Sequence, residues 1–239
     1  VVATPSSRAR PRSVRDRLAK EPLSRELIVD TALGILRAEG LDAVTMRRVA
    51  TALETGPASL YVYVQGSDGL RTAMLESILE AITLEQPDPH RWRQQVHRQL
   101  EGMLEAMEAH NGIAAVAVGK PPTGRQELRF TENLMGLLLA GGIAPRDAGL
   151  ACDLLPQLVT TTAIERATWA SSGFGPDGQA TVSDHLHQLF SSLPPTEFPN
   201  LTAHADALVD GDPDLRFRFA VDTILDGLVG RASAQSHRS

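Results

Sequence analysis

The chain has 239 residues, enough for one large domain or two small ones, and an apolar fraction of 42% that lets most of it bury a core. Its formal net charge is −6, no run approaches eighteen apolar residues, and Cys152 is the single cysteine. These features exclude a membrane-spanning helix, an internal disulfide framework and a multi-cysteine zinc site. No positive–apolar–small cleavage pattern opens the sequence, which points to a cytoplasmic protein without a membrane partner.

The charge is unevenly placed. Residues 1–71 hold 11 Lys/Arg and 8 Asp/Glu, whereas residues 72–239 hold 12 and 21. The first twenty residues carry Arg8, Arg10, Arg12, Arg15, Arg17 and Lys20 against Asp16. A basic start on an acidic body is the footprint of a chain whose one end meets a polyanion, with a solubilising tail as the alternative.

In chain order, residues 1–22 read as a flexible basic arm, with Pro5, Pro11, Pro22 and no apolar period. Ser24 is an N-cap for a helix whose stripe is Leu27, Ile28, Ala32, Ile35 and Leu36, and Gly40 is its left-handed C-cap. Thr45 caps a short helix with Met46, Val49, Ala50 and Leu53 turned inward. After a break at residues 54–56, Pro57 opens a third helix that offers Leu60, Tyr61 and Val64 to the core. A longer helix over 68–84 carries Leu70, Met74, Leu75, Ile78, Leu79 and Ile82.

Beyond Pro87 and Pro89 the helical period returns with Trp92, Val96, Leu100, Met103, Leu104 and Met107. A short apolar piece follows at 113–118, then helices over 124–140 and 145–171, the second kinked or cut by Pro156. Residues 172–181 and 192–201 read as loops, 185–193 and 203–209 as short helices. The last helix, 213–232, sets Phe217, Ala220, Val221, Ile224, Leu225 and Leu228 on one face. No segment alternates with period two, so the fold class is all-α.

Residues 45–64, TMRRVATALETGPASLYVYV, carry the most information. Two short helices around a three-residue break, with Val49, Ala50 and Leu53 set to meet Leu60 and Val64, form a helix-turn-helix. Gly56, Pro57, Ser59 and Tyr63 then face outward, with Ala58 and Tyr61 flanking them. A helix with so small an amino end can enter a major groove of double-stranded DNA. Pro57, Ala58 and Tyr61 suit thymine methyls, and Arg47 has the fork that matches a guanine edge. Thr45, Arg48, Ser59 and Tyr63 suit phosphate oxygens. An ordinary helical corner is the alternative.

The stretch from Leu23 to about Leu79, with Glu39–Gly40, Thr45–Met46–Arg47 and Leu60–Tyr61, resembles the DNA-binding domain of the TetR family of bacterial transcriptional regulators. FRFAVDTILDGL (217–228) resembles the final helix of regulators close to the tetracycline repressor. The resemblance implies a homodimer with a helix-turn-helix domain over 23–67 and a ligand-binding, dimerising bundle over 68–239, joined by the 68–84 helix. It places Arg47, Pro57, Ala58 and Tyr61 at base-facing positions, and Thr45, Met46, Ser59, Val62 and Tyr63 at backbone-facing ones. Two departures stand out. Glu54 sits where the family usually has Gly, and Gly66–Ser67 where it commonly has Asn-Lys, which leaves Ser67 in place of a phosphate-binding lysine.

The remaining residues give a less specific picture. Met103, Met107, Phe130 and Trp169 suit an apolar pocket, alongside Trp92 and Phe174, with His110, Thr161, Thr162 and Glu165 as polar tips. Simple core packing is the alternative for each. The family resemblance implies a small apolar or amphipathic effector that releases the protein from its operator. Residues 144–171 and 213–232 are the expected self-interface. No cofactor or metal is expected: the seven His are scattered, and GFGPDG (173–178) has no preceding strand. A constitutive dimeric DNA-binding protein and a helical enzyme are the competing readings. Deleting residues 1–20 is predicted to weaken operator binding and flatten its salt dependence, by roughly 0.9 in slope for each phosphate the arm neutralises. An unchanged slope rejects the arm's role.

Overall fold

The computed structural model describes residues 22–118, 122–171, 178–210 and 213–236. The basic arm (residues 1–21) and most of the GFGPDG motif (173–177) lie outside the described residues. All regular structure among the described residues is helical. The elements are α1 (Arg25–Glu39), a 3₁₀ turn (Leu41–Ala43), α2 (Met46–Ala52), α3 (Pro57–Leu60), α4 (Gly66–Glu80), α5 (Trp92–Glu108), α6 (Ala114–Ala117), α7 (Arg125–Ala140), α8 (Pro145–Ser171), α9 (Gly178–Ser192), α10 (Pro199–Ala203), α11 (Ala205–Val209) and α12 (Pro213–Ser236).

Local chemistry sets the helix ends. The Leu27 N–H donates to Ser24 Oγ at 3.1 Å and the Arg48 N–H to Thr45 Oγ1 at 3.1 Å, so α1 and α2 both start on a side-chain cap. Gly40, at φ 86°, closes α1 by donating to the Leu36 carbonyl at 2.9 Å. Pro57 supplies the first turn of α3. The helical course continues past Leu60 in tighter turns, with the Tyr63 and Val64 N–H groups both donating to the Leu60 carbonyl.

Packing then follows the apolar stripes. Ile28, Val29, Ala32, Ile35 and Leu36 of α1 are buried with Val49, Ala50, Leu60 and Val64. Complete burial of Leu60 contributes roughly 1.5–3 kcal/mol. α4 packs against α1 and α2, and also against α5, α6 and α7. The larger layer is built from α5, α7 and α8 in mutual contact, with α12 against α5 and α8 and the α9–α11 group beside α8. The segment between α4 and α5 is pinned at both sides. Gln95, itself buried, donates to the Gln86 carbonyl and accepts from the Asp88 N–H, and Asn133 donates to the Glu85 carbonyl.

Several expectations shift. The connecting helix runs over Gly66–Glu80 rather than 68–84, because the chain leaves helical geometry before Pro87 and Pro89. Tyr61, expected in the core, is 58% exposed, since Leu60 and Val64 already fill the inward face one turn apart. α8 passes through Pro156 as one helix. α9 is longer than the expected 185–193 helix, and α10 forms at the end of the expected 192–201 loop.

The corner between α2 and α3 holds Glu54 at φ 50°, the one positive-φ residue other than Gly among the described residues. A side chain there costs roughly 1–2 kcal/mol, more than the roughly 0.5–1 kcal/mol of extra chain entropy that Gly loses. Glu54→Gly is therefore predicted to raise the melting temperature by about 2–4 °C. A fall in calorimetry would show that the glutamate side chain's own interactions outweigh the strain.

Candidate DNA interface and body cavity

The outer face of the helix-turn-helix is small and apolar where it is most prominent. Gly56, Pro57, Ala58 and Ser59 are exposed, followed by Tyr61, Val62 at 82% exposure, and Tyr63. Such a run of uncovered apolar side chains is unfavourable in water unless a partner surface meets it. Arg47 is exposed beside this face, and Ser67 is exposed in the first turn of α4.

Other expected contacts are narrowed by the geometry. The Met46 side chain is buried in the core, so only its main chain reaches outward. The Thr45 hydroxyl accepts the cap bond from Arg48. Arg48 turns back to Glu39 at the end of α1, with Nη2–Oε1 2.5 Å and Nε–Oε2 3.2 Å. This bidentate pair holds the Glu39 carboxyl below the usual range and raises the Arg48 guanidinium. It braces α1 against α2, so the Arg48 fork is already engaged.

The body holds a partly open cavity of about 470 Å³ whose wall is drawn from α4, α5, α6, α7 and α8. Met103, Met107, Phe130 and Thr161, named from sequence, line it. His110, Thr162, Glu165 and Trp169 do not. His110 lies past the end of α5, with Nδ1 2.9 Å from the Ala106 carbonyl. Thr162 is rotated about 100° from Thr161 on α8, and Glu165 and Trp169 sit one and two turns beyond the cavity. Leu75 and Leu79 of α4 complete the wall, as do Thr131, Cys152, Asp153, Gln157 and Thr160. Sequence reasoning missed these because an apolar stripe marks burial without saying which side of it is left unfilled.

A carboxylate ties this wall together. Glu76, on α4 between Leu75 and Leu79, accepts from the Gln126 N–H at 2.9 and 3.1 Å and from the Glu127 N–H at 3.1 Å. These are the orphan donors and the positive end of α7, so a carboxylate from a different helix serves as its cap. Glu127 in turn accepts from the Gly124 N–H at 2.9 Å. A Cβ at Gly124 would collide with the Glu76 carboxylate, so this approach requires glycine. The G-x-x-E pattern of 124–127 marks a helix start in the sequence. Nothing local points to Glu76, apart from its being a charge amid apolar neighbours.

The geometry defines a class first: a two-part helical regulator with a helix-turn-helix at one end and a ligand-sized cavity in the other. Comparison with known proteins agrees. Residues 86–231 match the family profile of the tetracyclin repressor-like C-terminal domain. The ligand-free structure of ActR from Streptomyces coelicolor superposes with a TM-score of 0.81 at 36% identity, over 91% of this chain and 100% of that one. ActR in complex with actinorhodin gives 0.79 at 37% identity, over 87% and 96%. The tetracycline repressor protein class E of Escherichia coli is 22% identical over 90% of this chain and 95% of its own length. The transcriptional repressor DrrR1 of Streptomyces coeruleorubidus is 30% identical over 52% of this chain and 46% of its own, so the chain spans about half of that relative. This chain belongs to the TetR family of DNA-binding transcriptional regulators.

Among the described residues, no helix is long and apolar enough to cross a membrane, and no group of three His, Cys, Asp or Glu side chains is placed to hold a metal ion. Cys152 lies between the cavity and a shallow outer groove, both of which it lines together with Thr131. Burial pushes its thiol up to about 11. Its alkylation by iodoacetamide is therefore predicted to be slow at neutral pH and to rise about tenfold per pH unit up to about pH 10. A rate that levels off near pH 9 would contradict this assignment.

Proposed function

We propose that this protein is a cytoplasmic, dimeric repressor that leaves its operator when a small apolar or amphipathic effector fills the body cavity. Residues 23–67 are the reading head and residues 68–239 the effector-binding and dimerising body. The observation that carries the reading is that α4 packs against the helix-turn-helix and also supplies Leu75 and Leu79 to the cavity wall. A molecule in the cavity cannot fit between α4 and α7 without acting on the helix that holds the head. The structure of ActR, a protein of the same family and fold, in complex with actinorhodin supports a small-molecule effector for this chain.

At the head, Arg47, Pro57, Ala58 and Tyr61 read base edges. Ser59, Tyr63 and Ser67 contact phosphates together with the main chain at Thr45, Met46 and Gly56. Arg48 contributes by bracing the head through Glu39. Release follows linkage: an effector that binds better to a body whose heads are out of register lowers operator affinity by the same factor as the operator lowers effector affinity. The Glu76 cap on α7 is the polar link in that path, and Leu75 and Leu79 are the apolar one.

Dimerisation runs through residues 144–171 and 213–232. Leu150 and Leu154 on α8, and Leu215, Phe219 and Val229 on α12, are exposed although the opposite side of each helix is buried. Phe219, at 71% exposure, is the most prominent of them. A twofold pairing of these helices would bring two heads to successive major grooves roughly 34 Å apart.

The test is binding to duplexes flanking the gene. Wild type should shift one of them as a dimer, and Phe219→Asp should sediment as a monomer with operator affinity lower by at least about tenfold, since a buried unpaired charge opposes association. A fully dimeric Phe219→Asp protein would place the interface elsewhere. Failure of wild type to bind any such duplex would remove the repressor reading.

A further inference from the structure

Among the described residues that line the cavity, almost every side-chain hydrogen-bond donor is already used. Each threonine hydroxyl on it has a single proton, and in all three cases that proton is already used inside a helix. Thr131 Oγ1 donates to the Glu127 carbonyl at 2.9 Å, and Thr160 Oγ1 to the Pro156 carbonyl at 2.9 Å. Thr161 Oγ1 donates to the Gln157 and Leu158 carbonyls at 2.9 and 3.1 Å. A carbonyl oxygen can only accept, so these hydroxyls have only lone pairs left to offer. The Cys152 thiol faces the Thr131 carbonyl at 3.9 Å and is kept protonated by burial. Glu127 and Asp153 add carboxylate oxygens to the same wall. Among the described lining residues only the Gln157 amide retains a polar hydrogen, and no Lys, Arg or His is present.

Resting on the reading of this cavity as the effector site, we infer that the effector is a hydrogen-bond donor: an apolar ring skeleton bearing hydroxyl or amino hydrogens. An apolar body suits Leu75, Leu79, Met103, Met107 and Phe130, while donors on its rim meet the threonine and carboxylate oxygens. An ether, which has only lone pairs, would leave those oxygens desolvated and unpaired.

Two probes on one skeleton test this with the full-length protein: 2-naphthol and 2-methoxynaphthalene, with affinity measured by titration calorimetry. Slowed Cys152 alkylation reports cavity occupancy. The expected result is that 2-naphthol binds at least about tenfold more tightly than its methyl ether, a factor corresponding to 1.4 kcal/mol. Asp153→Asn, which replaces a pure acceptor with a group that also donates, should cut the naphthol preference at least about threefold. If the ether slows Cys152 alkylation and binds as well as the naphthol, the donor requirement is wrong while the effector cavity stands. If no probe slows alkylation, both fail. A naphthol preference left unchanged by Asp153→Asn removes Asp153 from the recognition surface and overturns the wall chemistry proposed here.

Discussion

One helix is shared by two cores. α4 packs with α1 and α2 under the helix-turn-helix and with α5, α6 and α7 in the body, and the buried apolar residues of both ends form a single cluster. Protein interiors are close-packed and tolerate discrete rearrangement better than continuous deformation. A change on the body side of α4 therefore moves α4 as a unit or does not move it. The Glu76 carboxylate adds direction, because it holds the first turn of α7 by hydrogen bonds that require close approach at Gly124. Apolar contacts alone would permit sliding between α4 and α7, whereas this cap fixes their register.

The reading head shows a different balance. Its inward face is settled by a few fully buried residues, Ile28, Ala32, Val49, Ala50 and Leu60. Its outward face leaves Tyr61 and Val62 in water and holds Glu54 in left-handed geometry. Strain and exposed apolar surface in one short element are what a surface shaped for a partner presents, since neither helps the isolated chain. Arg48 illustrates how a cation on the helix-turn-helix can serve the protein first: its bidentate pair with Glu39 links α2 to the end of α1.

Much of this was readable from the sequence, for reasons that differ by region. Ser24, Gly40, Thr45 and Pro57 mark helix ends by local chemistry, and the structure has the ends where those residues sit. Val49, Ala50, Leu60 and Val64 were placed inward by period alone. The cavity was only half visible. Met103, Met107 and Phe130 are core-type residues whether or not a void lies beside them, and the void depends on how five helices cross. Thr162, Glu165 and Trp169 failed by rotation and translation along α8, which composition cannot specify. Glu76 acts on residues fifty positions away through backbone N–H groups, and these leave no trace in side-chain identity.

We propose that the cavity and the outer face of the helix-turn-helix are energetically linked through α4 and its Glu76 cap. Reciprocity makes this testable without knowing the effector, because a duplex bound at the head must alter the cavity if the cavity alters the head. The direct measurement is the alkylation rate of Cys152, with and without a duplex selected by the protein from a random pool, in wild type and in Glu76→Gln. The duplex is expected to change the wild-type rate, and the response to shrink or vanish in Glu76→Gln while the duplex is still bound. A wild-type rate indifferent to saturating duplex would contradict it.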